Sequence, residues 1–305
     1  MKEVAEKPVL FVTLALAVTV PGLLAQSEAP HNSRWEVLSS WGDLPEGVTW
    51  GGASQISTAP DGQLVIFRRN VPAFFIVSPE GKLTKSFGDT KYRAAHGIRI
   101  DRDGFIWATD NTDNFVQKIS PDGQVVMTLG RAGTTGDNES QELFDGPADV
   151  FVAPNGDILV ADGYRNSRVV QFSKEGKFLR KIGGVKGSEP GQFNLPHSVV
   201  VDSKGRIIVA DVENSRLQLF DSNGRFLEQW TGFAAKPRGS MYITPDDTLY
   251  ISHVDSESIT VMKDGKIVES ITGLGVRPHG VTLDRRGDLY VTGPLTQMVK
   301  KIVRK

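Results

Sequence analysis

The feature that most constrains the fold of this chain is a repeat. Six copies of one unit follow one another, each with two short apolar, β-branched runs joined by a turn, as in "HGIRIDRDGFIWATD" and "HSVVVDSKGRIIVAD". Glycine stands at this turn in five copies, where it tolerates the positive φ of a tight hairpin. No copy shows a sustained helical period. Four strands per copy and a period of roughly 40–50 residues predict an all-β, six-bladed β-propeller.

The two ends of the repeat region predict how the ring closes. The sixth copy stops after its third strand, at "MVKKIVRK", whereas an extra strand-like segment, "RWEVLSSWG", precedes the first copy. That segment resembles "KFLRKIGG" and "RFLEQWTG", which end earlier copies. An N-terminal strand that completes the last blade would remove the open edges of the ring.

Three histidines occupy the same place in alternate copies. His96, His197 and His279 each lie eight residues before the turn glycine. The copies between them carry small residues at this offset, namely Ser54, Ala148 and Gly239. A lone histidine at a strand start is most often structural, but three in phase on alternate blades would approach one axis from three directions. Three neutral imidazoles with a fourth position open suit a catalytic zinc ion, and iron or copper would fit the same ligands.

Polar side chains in the loops after the second strands should face the histidines, because the second strand returns to the face on which the first begins. They are Arg68, Arg69, Asn111, Tyr164, Arg165, Glu213 and Asp255. Tyr164 is either an exposed loop aromatic or a general base whose pKa a dication and a guanidinium would lower. Arg69 is either an exposed strand-end arginine or a carboxylate-binding group.

Other polar residues are interpreted as lying outside the site. His253 is out of phase with the three histidines, and His31 precedes the first strand. The segment "NSR" recurs in two copies, which favours a structural role for its residues. They are Asn166, Arg168 and Arg216.

Composition and the first residues bound the cellular context. The net charge of −1 argues against nucleic-acid partners, and the absence of cysteine excludes disulfides and thiolate ligands. Residues 1–25 have the pattern of an export signal, with an apolar run, "PVLFVTLALAVTV", too short for a membrane span. We therefore expect a propeller over residues 26–305, exported to the periplasm or secreted, with no membrane span after signal removal. A monomer is expected.

Three segments resemble a known family. "DGYRNSRVVQFSKEGKF", "GQFNLPHSVVVDSKGRIIVADVENSRLQLF" and "AHGIRIDRDGFIWATD" are similar to the NHL-repeat propeller of peptidyl-α-hydroxyglycine α-amidating lyase. The resemblance implies zinc held by His96, His197 and His279, a catalytic Tyr164 and an active-site Arg69. It also implies cleavage of a small-molecule substrate or a peptide C-terminus bearing α-hydroxyglycine into an amide and glyoxylate, with the hydroxyl losing its proton toward Tyr164.

The chain departs from the family pattern at three positions. Val212 stands where the family has a second arginine, and Arg277 stands where it has methionine, so that Arg277 could return a guanidinium to the cavity. Gly280 replaces an acidic calcium ligand, which counts against a structural Ca²⁺. The sequence shows no companion region for the copper-dependent hydroxylation that makes the lyase substrate. Either another protein would supply the hydroxyglycine, or the substrate is a different α-hydroxy amide.

Two alternatives stay open at this point. A non-enzymatic NHL propeller would bind a protein or ligand at its face and hold no stoichiometric metal. A propeller hydrolase of the lactonase type would hold its metal with Glu, Asn and Asp, whereas the strand starts here offer histidine.

Overall fold

The computed structural model describes residues 34–89 and 92–305, and these residues form six four-stranded antiparallel sheets without a helix. The first three blades consist of β2 (Ala53–Thr58), β3 (Leu64–Arg68), β4 (Phe74–Val77), β5 (Leu83–Phe87); β6 (Ala95–Ile100), β7 (Ile106–Asp110), β8 (Phe115–Ile119), β9 (Val125–Gly130); and β10 (Pro147–Val152), β11 (Ile158–Asp162), β12 (Arg168–Phe172), β13 (Phe178–Gly183). The fourth and fifth consist of β14 (Pro196–Val201), β15 (Ile207–Asp211), β16 (Arg216–Phe220), β17 (Phe226–Trp230); and β18 (Met241–Ile243), β19 (Leu249–His253), β20 (Ser258–Lys263), β21 (Lys266–Ile271). The sixth consists of β22 (Gly280–Leu283), β23 (Leu289–Gly293), β24 (Met298–Arg304) and β1 (Trp35–Val37).

The turns between the first and second strands of each blade have the backbone that the repeat predicts. Gly205 has φ 76° in the fourth blade. Asp247 takes the equivalent place in the fifth blade at φ 62°, a conformation that is uncommon for a residue with a side chain. Its carboxylate accepts hydrogen bonds from the backbone N–H and the hydroxyl of Ser203, at 2.8 and 2.6 Å. This contact ties the exceptional turn to the neighbouring blade.

Burial falls from the inner to the outer strands of each blade. In the fourth blade every residue of β14 is buried, whereas the outer strand β17 is mostly exposed. The cores lie between neighbouring blades, where one sheet packs on the next. Burying this apolar area contributes roughly 25 cal/mol per Å². The inner strands are thereby held in a fixed position around the axis.

The ring closes through the N-terminal strand, as the sequence predicts. β1 pairs antiparallel with β24, with Trp35 opposite Arg304 and Val37 opposite Ile302. The Lys305 N–H also donates to the Arg34 carbonyl at 2.9 Å. The fold class, six blades and closure are confirmed.

Part of the sequence interpretation lies outside the described residues. The export signal at residues 1–25, the boundary at residue 26 and His31 belong to this part. Within the described ranges, no helix of the length and apolarity needed to cross a membrane is present.

Candidate metal centre

The three in-phase histidines meet on the axis of the ring. His96 and His197 are the second residues of β6 and β14, and His279 immediately precedes β22. All three are buried, and one ligand nitrogen of each lies within 4.8 Å of the others. Their ring centroids are 4.6 to 5.4 Å apart. The phase of the repeat therefore produces one compact cluster.

Each imidazole is oriented by a carbonyl of the next blade. His96 Nδ1 lies 2.6 Å from the Ala148 oxygen. The same contact recurs from His197 to Gly239 at 3.3 Å and from His279 to Ser54 at 3.0 Å. A carbonyl can only accept, so each Nδ1 carries the proton and each Nε2 keeps its lone pair. Such carbonyl contacts commonly fix metal-binding histidines.

The histidines are neutral at ordinary pH. Burial is the main cause that lowers the pKa of His197 from 6.5 to about 3 and that of His279 to about 4. Burial, followed by the neighbouring His279 and His197, holds the pKa of His96 well below its ordinary value. Neutral imidazole is the form that binds metal.

The donor set fits a divalent transition metal. Three unprotonated Nε2 atoms suit zinc, and they also suit iron or copper. Three protein ligands leave further positions for water or substrate, which is the arrangement of catalytic rather than structural zinc. The three histidines could therefore hold such an ion.

Tyr164 lies directly over the cluster. Its hydroxyl donates to His96 Nε2 at 2.8 Å and lies 3.2 Å from His197 Nε2. Although 41% of the residue is exposed, burial of its phenol end raises the pKa, and the charges of Arg69 and Arg238 offset part of that rise. The sequence interpretation predicts a lowered pKa for Tyr164, because it places a metal dication beside the phenol. Without that charge, desolvation dominates.

A cavity of about 160 Å³ opens beside Tyr164 and His279. Its lining includes the guanidinium groups of Arg69, Arg238 and Arg277. The remaining lining residues are apolar: Val254, Pro294 and Leu295. Arg69 Nε contacts the Ala95 carbonyl at 3.4 Å. Thus Arg69 and Arg277 reach the cavity with Tyr164.

Arg238 is a cavity residue that the sequence analysis missed. It directly precedes Gly239, the residue at the histidine offset in the fifth blade, and this adjacency was the available signal. Arg238 forms ion pairs with Glu213 and, at 3.4 Å, with Asp255. Asp255 also pairs with Arg277 at 3.0 Å. Glu213 and Asp255, both predicted beside the metal, instead hold the arginines.

Three other loop residues predicted beside the metal do not line the cavity. Arg68 is buried, donates to the carbonyls of Trp50 and Pro72, and stacks on Phe75. Arg68 is the last residue of β3 and is buried, whereas Arg69 follows the strand and lines the cavity. The other two residues are Asn111 and Arg165, which contact each other. The Arg165 guanidinium donates a hydrogen bond to the Asn111 carbonyl at 3.0 Å.

The residues interpreted as structural are integrated into the blades. Arg168 and Arg216 are buried and pair with Asp162 and Asp211 at 2.9 and 2.8 Å. Asn166 donates to the Asp162 carboxylate and the Gly136 carbonyl, both at 2.8 Å. His253 is also buried, with Nδ1 3.0 Å from the Lys236 carbonyl and Nε2 2.8 Å from the Thr260 hydroxyl.

Packing accounts for two of the departures from the family pattern. Val212 is fully buried, while Arg238 supplies a guanidinium to the cavity. A Cβ on Gly280 would lie 2.1 Å from the Gln55 side-chain oxygen and 2.4 Å from the Thr292 hydroxyl. Position 280 therefore has no room for a carboxylate.

One buried carboxylate of the inner strands, that of Asp149 in β10, is engaged by protein donors. Asp149 pairs with Arg99 at 2.8 Å and accepts from the Ser198 hydroxyl at 2.6 Å. These contacts, with those to the backbone N–H groups of residues 150 and 199, occupy both of its oxygens. Asp149 is therefore held by protein donors on both oxygens.

The chain is similar to several known proteins. The NHL repeat model matches residues 144–172 and 193–220. Peptidyl-glycine alpha-amidating monooxygenase B of Xenopus laevis is 33% identical over 241 residues, which cover 66% of this chain and 27% of that protein. The chain thus spans about a quarter of the length of this relative.

Two shorter relatives and one solved structure extend the comparison. A probable peptidyl-alpha-hydroxyglycine alpha-amidating lyase of Caenorhabditis elegans is 39% identical over 150 residues, covering 48% of this chain and 42% of that protein. Human NHL repeat-containing protein 3 is 30% identical over 256 residues, covering 77% and 73%. A streptogramin B lyase structure has a TM-score of 0.64 at 13% identity over 89% of this chain and 98% of its own, which supports the fold alone. The chain belongs to the NHL-repeat β-propeller family that includes the peptidyl-α-hydroxyglycine α-amidating lyases.

Proposed function

We propose that the protein is a zinc-dependent carbon–nitrogen lyase. It would cleave a C-terminal α-hydroxyglycine, or a related α-hydroxy amide, into an amide and glyoxylate. The observation that carries this proposal is the position of the Tyr164 hydroxyl, 2.8 and 3.2 Å from the Nε2 atoms of His96 and His197 that would bind the ion, beside a cavity that Arg69 also lines. A bound ion would replace the hydroxyl as the partner of these lone pairs. The names of the amidating-lyase relatives support the same class of reaction.

Arg69 would bind the substrate carboxylate. It makes no ion pair with any other residue of the described ranges, and its guanidinium presents a planar fork that matches a carboxylate. A substrate held this way would extend its hydroxyl-bearing carbon toward Tyr164 and the histidines.

Tyr164 would move the proton. Its oxygen would accept the proton of the substrate hydroxyl, and the hydroxyl-bearing carbon would become the aldehyde of glyoxylate as the C–N bond breaks. The departing amide nitrogen takes the bond electrons and the proton that Tyr164 accepted, so atoms and charge balance. A zinc ion held by His96, His197 and His279 would supply a Lewis acid and a positive charge that lowers the pKa of the nearby phenol.

The test is glyoxylate release from α-hydroxyhippurate by zinc-loaded protein. General acid–base groups contribute roughly 10²–10⁴-fold to rate, so Tyr164→Phe should lower kcat by at least about a hundredfold while the zinc content stays at one per chain. Tyr242→Phe, in the half-buried strand β18 outside the cavity, is the matched control and should retain the wild-type rate. Equal rates, or no release, from wild type and Tyr164→Phe would refute the proposal.

A non-enzymatic binding module is the second candidate. Human NHL repeat-containing protein 3, of which the match covers 73%, is named for its repeat and for no reaction. This candidate predicts that protein purified without added zinc contains no stoichiometric metal. Elemental analysis of such protein separates the two functions.

A further inference from the structure

The rim of the cavity carries more positive charge than one carboxylate requires. Arg238, Arg277 and Lys236 form a connected ion-pair cluster with only two acids, Glu213 and Asp255. Lys236 and Arg238 share Glu213, and Arg238 and Arg277 share Asp255. With Arg69, which has no acidic partner in the described ranges, cations at this rim exceed anions by two.

The two cluster arginines keep free donors. Arg277 uses Nε for the Val254 carbonyl at 3.2 Å and Nη2 for Asp255 at 3.0 Å. Arg238 uses Nη2 for Glu213 and Nε for Asp255. Within residues 34–89 and 92–305, Nη1 of neither arginine is bonded to the protein. Because a guanidinium has five N–H donors in a fixed plane, the acids orient both groups and leave one edge of each for a ligand.

The size of the cavity limits how much of a substrate it can hold. A water molecule takes roughly 30 Å³ of liquid, so about 160 Å³ holds a fragment the size of hydroxyglycine. The acyl group on the other side of the scissile bond must then leave the cavity at its rim. Arg238 and Arg277 are partly exposed, at 36% and 41% of their side chains, and Arg69 is exposed as well, so all three guanidinium groups reach the rim. A substrate carboxylate on Arg69 would leave Arg238 and Arg277 for a group on the acyl side.

We propose that Arg238 and Arg277 form a second anion-binding subsite, and that the substrate carries an anionic group on its acyl side. The substrate class is an N-acyl-α-hydroxyglycine with an acidic acyl group, such as a peptide with an acidic residue before the hydroxyglycine. This inference rests on the proposed lyase function, but it concerns specificity and not the reaction. Arg238 and Arg277 are specificity-determining residues in it.

The experiment compares two probes that differ only in charge, N-succinyl-α-hydroxyglycine and its neutral terminal amide, N-succinamoyl-α-hydroxyglycine. Wild-type protein should show a kcat/KM at least about tenfold higher for the succinyl probe, the factor that one charge-assisted hydrogen bond supplies. In Arg277→Met and in Arg238→Met this ratio should fall toward one. In Arg131→Met, which changes an exposed arginine just after β9 and outside the cavity, the ratio should stay at the wild-type value.

A ratio near one in the wild type, with glyoxylate released from both probes, overturns the second subsite and leaves the lyase function standing. Release from neither probe refutes the lyase function instead. Calorimetric titration of zinc-loaded protein with succinate and with propionate then tests the subsite without turnover. Tighter binding of succinate that both Met variants abolish supports the subsite, and equal affinities overturn it. This titration also covers a variant that folds but has lost activity.

Discussion

The blades that carry histidine and the blades between them contribute different parts of the site. The second, fourth and sixth blades supply the three Nε2 atoms. The first, third and fifth blades supply the carbonyls of Ser54, Ala148 and Gly239 that orient the imidazoles. The cavity residues Arg69, Tyr164 and Arg238 also come from this second set.

The difference shows how one repeat can supply both the metal ligands and the groups that orient them. A blade that carries histidine at the inner strand start uses its side chain there, whereas a blade with a small residue uses its backbone and leaves space above it for a loop side chain. Changes in the intervening blades can therefore alter substrate selection while the ligand set stays intact. Arg238 illustrates such a contribution, because its guanidinium enters the cavity from the fifth blade, whereas the family pattern has its arginine at the position of Val212 in the fourth.

The largest expected effect comes from a histidine-bearing blade. His197→Ala removes one of three ligands, and two imidazoles hold zinc far more weakly, so purified protein should retain no stoichiometric zinc after dialysis. His253→Ala changes a buried histidine that bonds Lys236 and Thr260, and it should keep one zinc per chain. Elemental analysis of both variants measures the contrast, and zinc retained in His197→Ala would break it.

A smaller effect is expected from an intervening blade. In Gly239→Ala the new Cβ would lie 2.0 Å from the Ser252 hydroxyl oxygen and 2.8 Å from its backbone carbonyl, so the strand start must shift. The Gly239 carbonyl that orients His197 shifts with it, and loss of such a contact costs roughly 10–100-fold in metal affinity. Ala148→Gly retains the carbonyl and should leave zinc affinity within about threefold of wild type. Competition with a zinc chelator provides the affinities, and equal values for the two variants would contradict the assigned role of the carbonyl.

The smallest effect is a pH dependence of the metal-free protein. The folded-state pKa values of His197 and His279, about 3 and about 4, lie below the ordinary 6.5. Their contribution to stability is therefore present above pH 6.5 and is lost as pH falls toward these values, at up to about 1.4 kcal/mol per pH unit for each histidine. Urea unfolding of chelator-treated protein between about pH 7 and pH 5 should show this decline. His279→Gln should show a shallower slope, and a flat wild-type profile would contradict the buried neutral state.

Much of the fold could be predicted from the sequence because the repeat determines it at many positions at once. The turn residues set the strand starts, and the incomplete sixth copy required the strand that is found at Trp35–Val37. The histidine phase predicted the cluster for the same reason, since equivalent offsets on a ring face the same axis.

The rest of the site depends on side-chain direction, which residue order alone does not determine. Arg68 and Arg69 are adjacent, yet only Arg69 lines the cavity. Tyr164 and Arg165 are also adjacent, and only Tyr164 lines it. Arg238 was missed because it belongs to no loop after a second strand. The curvature of the ring brings it to Glu213 and Asp255, from the fourth and fifth blades.

The contact between His279 and Ser54 joins residues that are 225 positions apart, across the seam between the sixth and first blades. The ribosome synthesises the strand that finishes the sixth blade before any of the three ligands, and it synthesises His279 after the other two. A chain that has stopped short of the sixth blade has at most two of the three imidazoles. Metal uptake would thus report on completed synthesis and closure, and truncated products would be recognisable by being metal-free.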